Sequence, residues 1–314
     1  MKSISFDRFG GPDVLNVAED PAPKPGPGQI LIDVDHAGIN FAEVMFRRGQ
    51  ISVDLPHTPG LEVVGTVVAT GTEPGPISIG DRVAALTLGG GGQAELALAD
   101  TDKSIKLDGR LSGLDGASTA AILCNATTAI GAIALSGRPH TGDRVLITAA
   151  AGGVGRCLLD LLQGEDLTLV AVTSDLSKLG ELTSDTEAVT YDELADAEDF
   201  DVIFDTIGGP VRKLLRDKTR LLGRHVIMGD AANDDLQIDC DSIWFGCTTL
   251  VGYNLGAIGY SKPDLLREHM RQALTHLADG RIRAKFTEIG ANEVREAHTR
   301  LEQRTSCGKY VLTW

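Results

Sequence analysis

The strongest constraint on the fold lies in residues 144–228, where apolar strands alternate with helical stretches. Arg144-Val-Leu-Ile-Thr148 reads as a buried strand, residues 153–163 as a helix and 167–173 as a second strand. Asp201-Val-Ile-Phe-Asp205 reads as a third strand, 210–222 as a helix and 224–228 as a fourth strand. Strands joined through helices of this length need right-handed crossovers and pair in parallel. The segment is therefore expected to form an α/β, doubly wound parallel sheet of Rossmann type, with a helix over 264–279 ending the domain.

Residues 29–83 follow a different pattern. Ile30, Ile32 and Val34 alternate with other residues, 63–69 is β-branched and apolar, and Pro and Gly punctuate the gaps. Short strands in a compact, loop-rich barrel are expected here, and the run 309–314 is a strand that returns to this domain. A Rossmann domain inserted into a β-rich domain follows, and 314 residues suffice for two cores. Gly-Asp-Arg-Val occurs at 80–83 and again at 142–145, each time opening an apolar strand. Nothing around the two copies matches, so they read as shared turn chemistry and not as a repeat.

Charge and composition narrow the partners. With 29 Lys+Arg against 44 Asp+Glu the net charge is −15 and no basic run interrupts it, which argues against nucleic acid and anionic membranes. Residues 116–135 carry no charge and are long enough to cross a bilayer. Ala, Ser, Thr, Gly and Asn125 dominate them without flanking basic or aromatic belts, so a buried helix is expected. The five scattered cysteines fit no zinc spacing and read as reduced thiols of the cytoplasm. The N-terminal MKSISFDRFGGPDVL lacks the apolar stretch of an export signal.

Between the first parallel strand and its helix stands Ala149-Ala-Ala151-Gly152-Gly153-Val154-Gly155. Glycines at such a turn let the backbone of Ala151, Gly152, Gly153 and Val154 approach a pyrophosphate, whose charge the helix N-terminus favours. The spacing A-x-x-G-x-x-G alone reads equally as a tight turn; the strand before it and the helix after it point to a dinucleotide. The second strand ends in Thr173-Ser174-Asp175-Leu-Ser-Lys178. Ser174 leaves room for a 2′-phosphate and Lys178 neutralises it, which favours NADPH over NADH. Asp175 either opposes that phosphate or caps the following helix.

These residues resemble a family, the zinc-independent quinone oxidoreductases related to zeta-crystallin, within the medium-chain dehydrogenase/reductase superfamily. The markers are Ala37-Gly-Ile-Asn40-Phe-Ala-Glu43, His57-Thr-Pro-Gly60-Leu-Glu62, Gly80-Asp-Arg-Val, residues 149–155, residues 201–208 and Gly308-Lys-Tyr-Val-Leu312. The resemblance implies a GroES-like catalytic domain over 1–115, a Rossmann NADP-binding domain over 116–282, and a return of 283–314 to the catalytic domain. It implies nicotinamide held in a cleft between the domains, and a homodimer. Lys178 matches a 2′-phosphate lysine, Ser174 a small residue admitting that phosphate, and Tyr191 a tyrosine beside the adenosine phosphate. Thr127, Met228, Gly229, Tyr253 and Asn254 match positions that line the nicotinamide pocket.

Zinc-dependent relatives carry Cys where this chain has Asn40 and His where it has Leu61; Leu61 can ligate nothing, so no metal is expected. Glu62 is better read as a salt-bridged or capping carboxylate. Asn40 either donates to a substrate carbonyl, stabilising a developing oxyanion, or is a turn residue bonding its own backbone. Where several relatives have a tyrosine, this chain has Met45, which can donate nothing. The expected reaction is hydride transfer from NADPH to a quinone. Two alternatives are reduction of an alkenal or enone double bond, and an NADPH-binding sensor or structural protein with little turnover.

Overall fold

The computed structural model describes residues 1–314 apart from 181, 183–185, 235 and 236. It divides into two compact units, Met1–Thr127 with Gly256–Trp314, and Thr128–Leu255. In chain order the elements are β1 (Lys2–Ser5), β2 (Asn16–Glu19), β3 (Gln29–Ile39), α1 (Phe41–Arg48), β4 (Glu62–Thr70), β5 (Arg82–Leu86), β6 (Leu96–Asp100), β7 (Ser104–Lys106) and α2 (Gly116–Gly131). There follow β8 (Arg144–Ile147), α3 (Gly153–Leu162), β9 (Thr168–Thr173), β10 (Thr186–Thr190), β11 (Phe200–Asp205), α4 (Gly209–Asp217), β12 (Thr219–Ile227), α5 (Cys240–Gly246) and β13 (Thr249–Gly252). The chain continues with α6 (Leu255–Ser261), α7 (Pro263–Ala278), β14 (Phe286–Ile289), α8 (Val294–Glu302) and β15 (Lys309–Thr313).

The first unit is built on a sheet of order β14-β15-β3-β4-β5-β7, with β6 also paired to β3. Ile30, Ile32 and Val34 point into its core with Val63, Val67, Val83 and Leu312, as their alternation requires. β15 pairs antiparallel with β3, Tyr310 opposite Ile39, so the late strand does return to the β-rich unit. The helix expected to end the Rossmann domain, α7, lies instead with the first unit. Its buried face, Leu266, Met270, Ala273 and Leu274, follows the helical period, and α7 packs on β7 and the short turns Thr101–Lys103 and Gly109–Leu111.

The second unit holds a six-stranded parallel sheet of order β10-β9-β8-β11-β12-β13, the doubly wound arrangement expected from the sequence. Val145, Leu146, Ile147, Val170, Val172, Val202, Ile203 and Phe204 are fully buried, as both faces of a covered parallel sheet demand. One helix is shorter than expected. α4 ends at Asp217, and residues 219–222 begin β12, where Thr219 pairs with Phe200 and Leu222 N–H donates to Cys247 O. Leu221 and Leu222 are thus exposed strand residues, and a helical reading of two leucines near a helix end was the wrong period.

Residues 116–137 form one continuous helix, α2 followed by a π-helical stretch over Ala132–Gly137. Its length and apolarity match a membrane span, yet 78% of its most apolar window is buried inside the protein. The two Gly-Asp-Arg-Val copies make the same turn. Gly80 and Gly142 both take left-handed backbone, and the carboxylates of Asp81 and Asp143 accept the N–H of Ser78 and His140, each at 2.9 Å.

Candidate functional site

In the second unit the sequence-selected residues converge on one edge. Each follows the carboxyl end of a parallel strand: residues 149–154 after β8, Ser174 and Lys178 after β9, Tyr191 after β10, Met228 and Gly229 after β12, Tyr253 and Asn254 after β13. The sheet order reverses between β8 and β11, and the crevice at such a switch point is where open α/β sheets take ligands.

The loop after β8 is held in a specific shape. Ala149 has φ 47°, a left-handed conformation that glycine would adopt freely and that costs a residue with a Cβ about 1 kcal/mol or more. Its N–H donates to the Tyr191 hydroxyl at 2.9 Å, and its carbonyl accepts from Gly152 N–H at 2.8 Å. A methyl group on Gly155 would overlap the Ala149 carbonyl oxygen, so the third glycine lets helix and loop pack closely. Gly152 caps α3 with extended backbone and no side-chain cap. The first N–H groups of α3 therefore have no partner inside the helix and sit at its positive end.

After β9, Ser174 is exposed and Lys178 half-buried. Asp175 caps the short helix Leu176–Lys178: its Oδ1 accepts Ser177 N–H at 3.0 Å and Ser177 Oγ–H at 2.7 Å. Those bonds hold its carboxyl below the ordinary range, and the capping alternative is the one the structure adopts. After β11, the buried Asp205 accepts Ile207 N–H at 2.8 Å, Gly208 N–H at 3.1 Å and Arg212 Nε at 2.6 Å. Burial works against its charge, but His225 and Arg212 hold its carboxyl below the usual value. Arg212 in turn donates to Gly229 O at 2.5 Å, fixing the loop after β12. Thr148 Oγ1 accepts Thr206 N–H at 2.9 Å and joins the loops after β8 and β11. None of Asp205, Arg212 and Thr148 was selected from sequence, because a buried Asp ending an apolar strand gives no signal of its partners.

The first unit contains a second polar centre. Asn40 caps α1 with extended backbone but spends its side chain elsewhere. Its Nδ2 donates to Glu62 Oε1 at 2.9 Å and, more weakly, to Glu43 Oε1 at 3.5 Å, while its Oδ1 accepts from Lys309 Nζ. Lys309 also donates to Glu62 Oε1 at 2.6 Å, and Cys124 N–H donates to Glu62 Oε2 at 2.5 Å. Glu62 is thus the salt-bridged carboxylate expected. Gly38 is required beside it, since a Cβ there would overlap both Glu62 Oε1 and the Ala120 carbonyl. Lys309 escaped the sequence reading although it stood in a marker segment. The signal was register: with Tyr310 opposite Ile39, Lys309 falls opposite Asn40.

Thr127 is fully buried in α2 and its hydroxyl donates to Leu123 O at 2.5 Å, one turn back. Leu61 is buried beside Glu62 and offers no donor atom.

Residues 26–132 match the family described as alcohol dehydrogenase GroES-like domain, and residues 181–312 that described as zinc-binding dehydrogenase. The quinone oxidoreductase-like protein 2 homolog of Nematostella vectensis is 29% identical over 302 residues, covering 91% of this chain and 82% of its own. The probable quinone oxidoreductase of Schizosaccharomyces pombe is 27% identical over 321 residues, covering 98% and 96%. The Escherichia coli quinone oxidoreductase crystallised with NADPH has the same fold, with a TM-score of 0.89 at 21% identity over the whole of both chains.

Proposed function

Because the chain belongs to the medium-chain dehydrogenase/reductase superfamily, among its quinone oxidoreductase-like members, we propose that it reduces a quinone with NADPH and uses no metal. The observation that carries this reading is the loop 149–155 at the switch point, with the uncapped N-terminus of α3 behind it. The residues fit the cofactor. Backbone N–H groups of Gly152, Gly153 and Val154 would hold the pyrophosphate, and Tyr191 keeps the loop shaped for it. Ser174 and Lys178 would take the 2′-phosphate, and Asp175 is turned to its cap. The loops carrying Met228, Gly229, Tyr253 and Asn254 would line the nicotinamide.

When bound, NADPH supplies the hydride; a quinone that gains it and one proton becomes a hydroquinone. The chain's own part is orientation and polarisation. Lys309 fixes Asn40 Oδ1 and thereby turns Nδ2 away from itself. The N–H that only weakly reaches Glu43 is the one we assign to an acceptor oxygen, where it stabilises developing negative charge. The final proton comes from water. Asn40 and Leu61 stand where zinc-dependent relatives have metal ligands, and among the described residues no three His, Cys, Asp or Glu are placed to share an ion.

Side-by-side titration with NADPH and NADH, followed by turnover with a quinone panel, tests this. Failure of both nucleotides to bind below millimolar concentration would leave the loop as a turn only. A saturated carbonyl as product, from an enone, would move the reaction to double-bond reduction, which the apolar Met45 also suits; binding without any turnover would favour a sensor.

A homodimer is part of the proposal. Among the described residues β13 pairs on one side only, and near it Trp244 and Phe245, stacked at 4.7 Å, are 70% and 74% exposed beside the exposed Leu221 and Leu222. Such an apolar patch next to an open strand edge suits a second copy. Light scattering reads the mass directly. No disulfide joins any of the five cysteines, and a reducing, cytoplasmic setting is part of the proposal.

A further inference from the structure

Two carboxyl groups and one ammonium of the first unit are shut away from water together. Glu43 and Glu62 are 0% exposed and Lys309 5%. With both acids ionised, this pocket would hold a net negative charge out of reach of solvent, which is strongly unfavourable. Lys309 is committed to one side: its ammonium donates to Glu62 Oε1 and to Asn40 Oδ1. Glu43 is left with neutral partners, Leu61 N–H at 3.2 Å, Asn40 Nδ2 at 3.5 Å and the side-chain amide of Gln93.

Gln93 lies at the same carboxyl. It is fully buried, its Nε2 lies against Glu43 Oε2, and its Oε1 has no hydrogen-bond partner among the described residues. As placed, Nε2 gives the Glu43 carboxyl an N–H; with the amide turned over, Oε1 finds a donor there only if Glu43 carries a hydrogen, and Nε2 takes the unpartnered place.

We propose that Glu43 is a neutral carboxylic acid in the folded protein, that it donates its proton to Gln93 Oε1, and that its neutrality commits Lys309 and Asn40 to Glu62. The electrostatics agree: burial pushes Glu43 up to about 8, against the pull of Lys309 and with the push of Glu62. The charged groups that act on it are those two, from β15 and β4; the Asn40 hydrogen bonds pull it down, and Gln93 and Leu61 are uncharged contacts. Loss of the proton creates a second buried anion that competes for Lys309 and for the Asn40 amide. Glu43 is accordingly a positioning residue for Asn40, a role that rests on the function proposed above, whereas its protonation does not.

The test compares thermal unfolding of wild type and Glu43→Gln between about pH 5 and 9, without cofactor. A folded value of about 8 lies above the ordinary 4.5, so the folded protein keeps a proton that the unfolded chain loses. The stability this group gives wild type is therefore full below about 4.5 and falls away as pH rises toward 8. Glu43→Gln does not titrate, so its Tm relative to wild type should climb over that interval and level off above pH 8. A Tm difference independent of pH overturns the proposal. Should the variant not fold, the infrared spectrum of wild type at pH 7 should show a protonated-carboxyl stretch that moves on 13C-glutamate labelling; its absence overturns the proposal equally. Both readings stand whether or not a quinone is reduced. In turnover, an alkaline fall in kcat with a midpoint near 8 should flatten in Glu43→Gln with KM for NADPH unchanged; a fall that persists overturns the positioning role alone.

Discussion

The Tyr191 hydroxyl accepts the Ala149 N–H at 2.9 Å, so a residue after β10 shapes a loop two strands away, at the end of β8. The bond stabilises a left-handed Ala149 that has no glycine's freedom to be there. Tyr191→Phe removes the acceptor and keeps the ring packed on the buried apolar cluster of the second unit. A typical hydrogen bond contributes about 1 kcal/mol, so the Kd for NADPH should rise roughly fivefold, with little change in Tm. Nicotinamide fluorescence titration measures it, and an unchanged Kd would show that the loop holds its shape without the phenol.

Selection between the two nucleotides should reside in Lys178. A hydrogen bond to a charged group contributes about 1.5–3 kcal/mol, so Lys178→Ala should weaken NADPH about tenfold or more while NADH changes little. Equal weakening of both would assign Lys178 to the fold and not to the 2′-phosphate.

Lys309 is the cation of a buried pair. Lys309→Met leaves Glu62 without its counter-ion and the Asn40 amide oxygen without its donor, and breaking such a pair from one side costs about 3–5 kcal/mol. Urea unfolding should show that loss, and the double variant Lys309→Met/Glu62→Gln should recover a large part of it. A double variant no more stable than the single one would mean that the pair's charge is not what the first unit depends on.

His298 gives an acid-side signature. It is fully buried, its Nδ1 accepts from Arg47 Nε at 3.4 Å, and burial with the neighbouring Arg47 charge lowers it to about 3. The unfolded chain protonates near 6.5, so the stability His298 gives is present above that value and is lost as pH falls toward 3. The advantage of wild type over His298→Asn should shrink by about 1.4 kcal/mol per pH unit below 6.5. A constant difference from pH 7 to 4 would show that His298 titrates normally in the folded state.

The sheet of the second unit was legible because its strands are unbroken apolar runs, and the loop 149–155 because glycines mark where backbone must come close. Asp175 was open between two roles, since the sequence does not say where a carboxylate points; its bonds to Ser177 settle that. The boundary between α4 and β12 was missed because Leu221 and Leu222 suit either period. Neither the commitment of Asn40 to Glu62 and Lys309 nor the place of α7 could be read, since both arise from contacts between residues far apart in the chain. Lys309 was legible only as the start of the returning strand, and its partners follow from the register of β15 on β3.

That pairing sets an order of events during synthesis. The residues of the second unit, Thr128–Leu255, have all left the ribosome while β15 is still to be made. A domain that can fold first generally does so, and the parallel sheet has every strand it needs at that moment. β3 and β4 emerge before that sheet but wait longer, with Glu62 lacking its counter-ion until Lys309 is translated. A nascent chain stalled just before Lys309 should therefore carry a protease-resistant second unit and a first unit still open to cleavage.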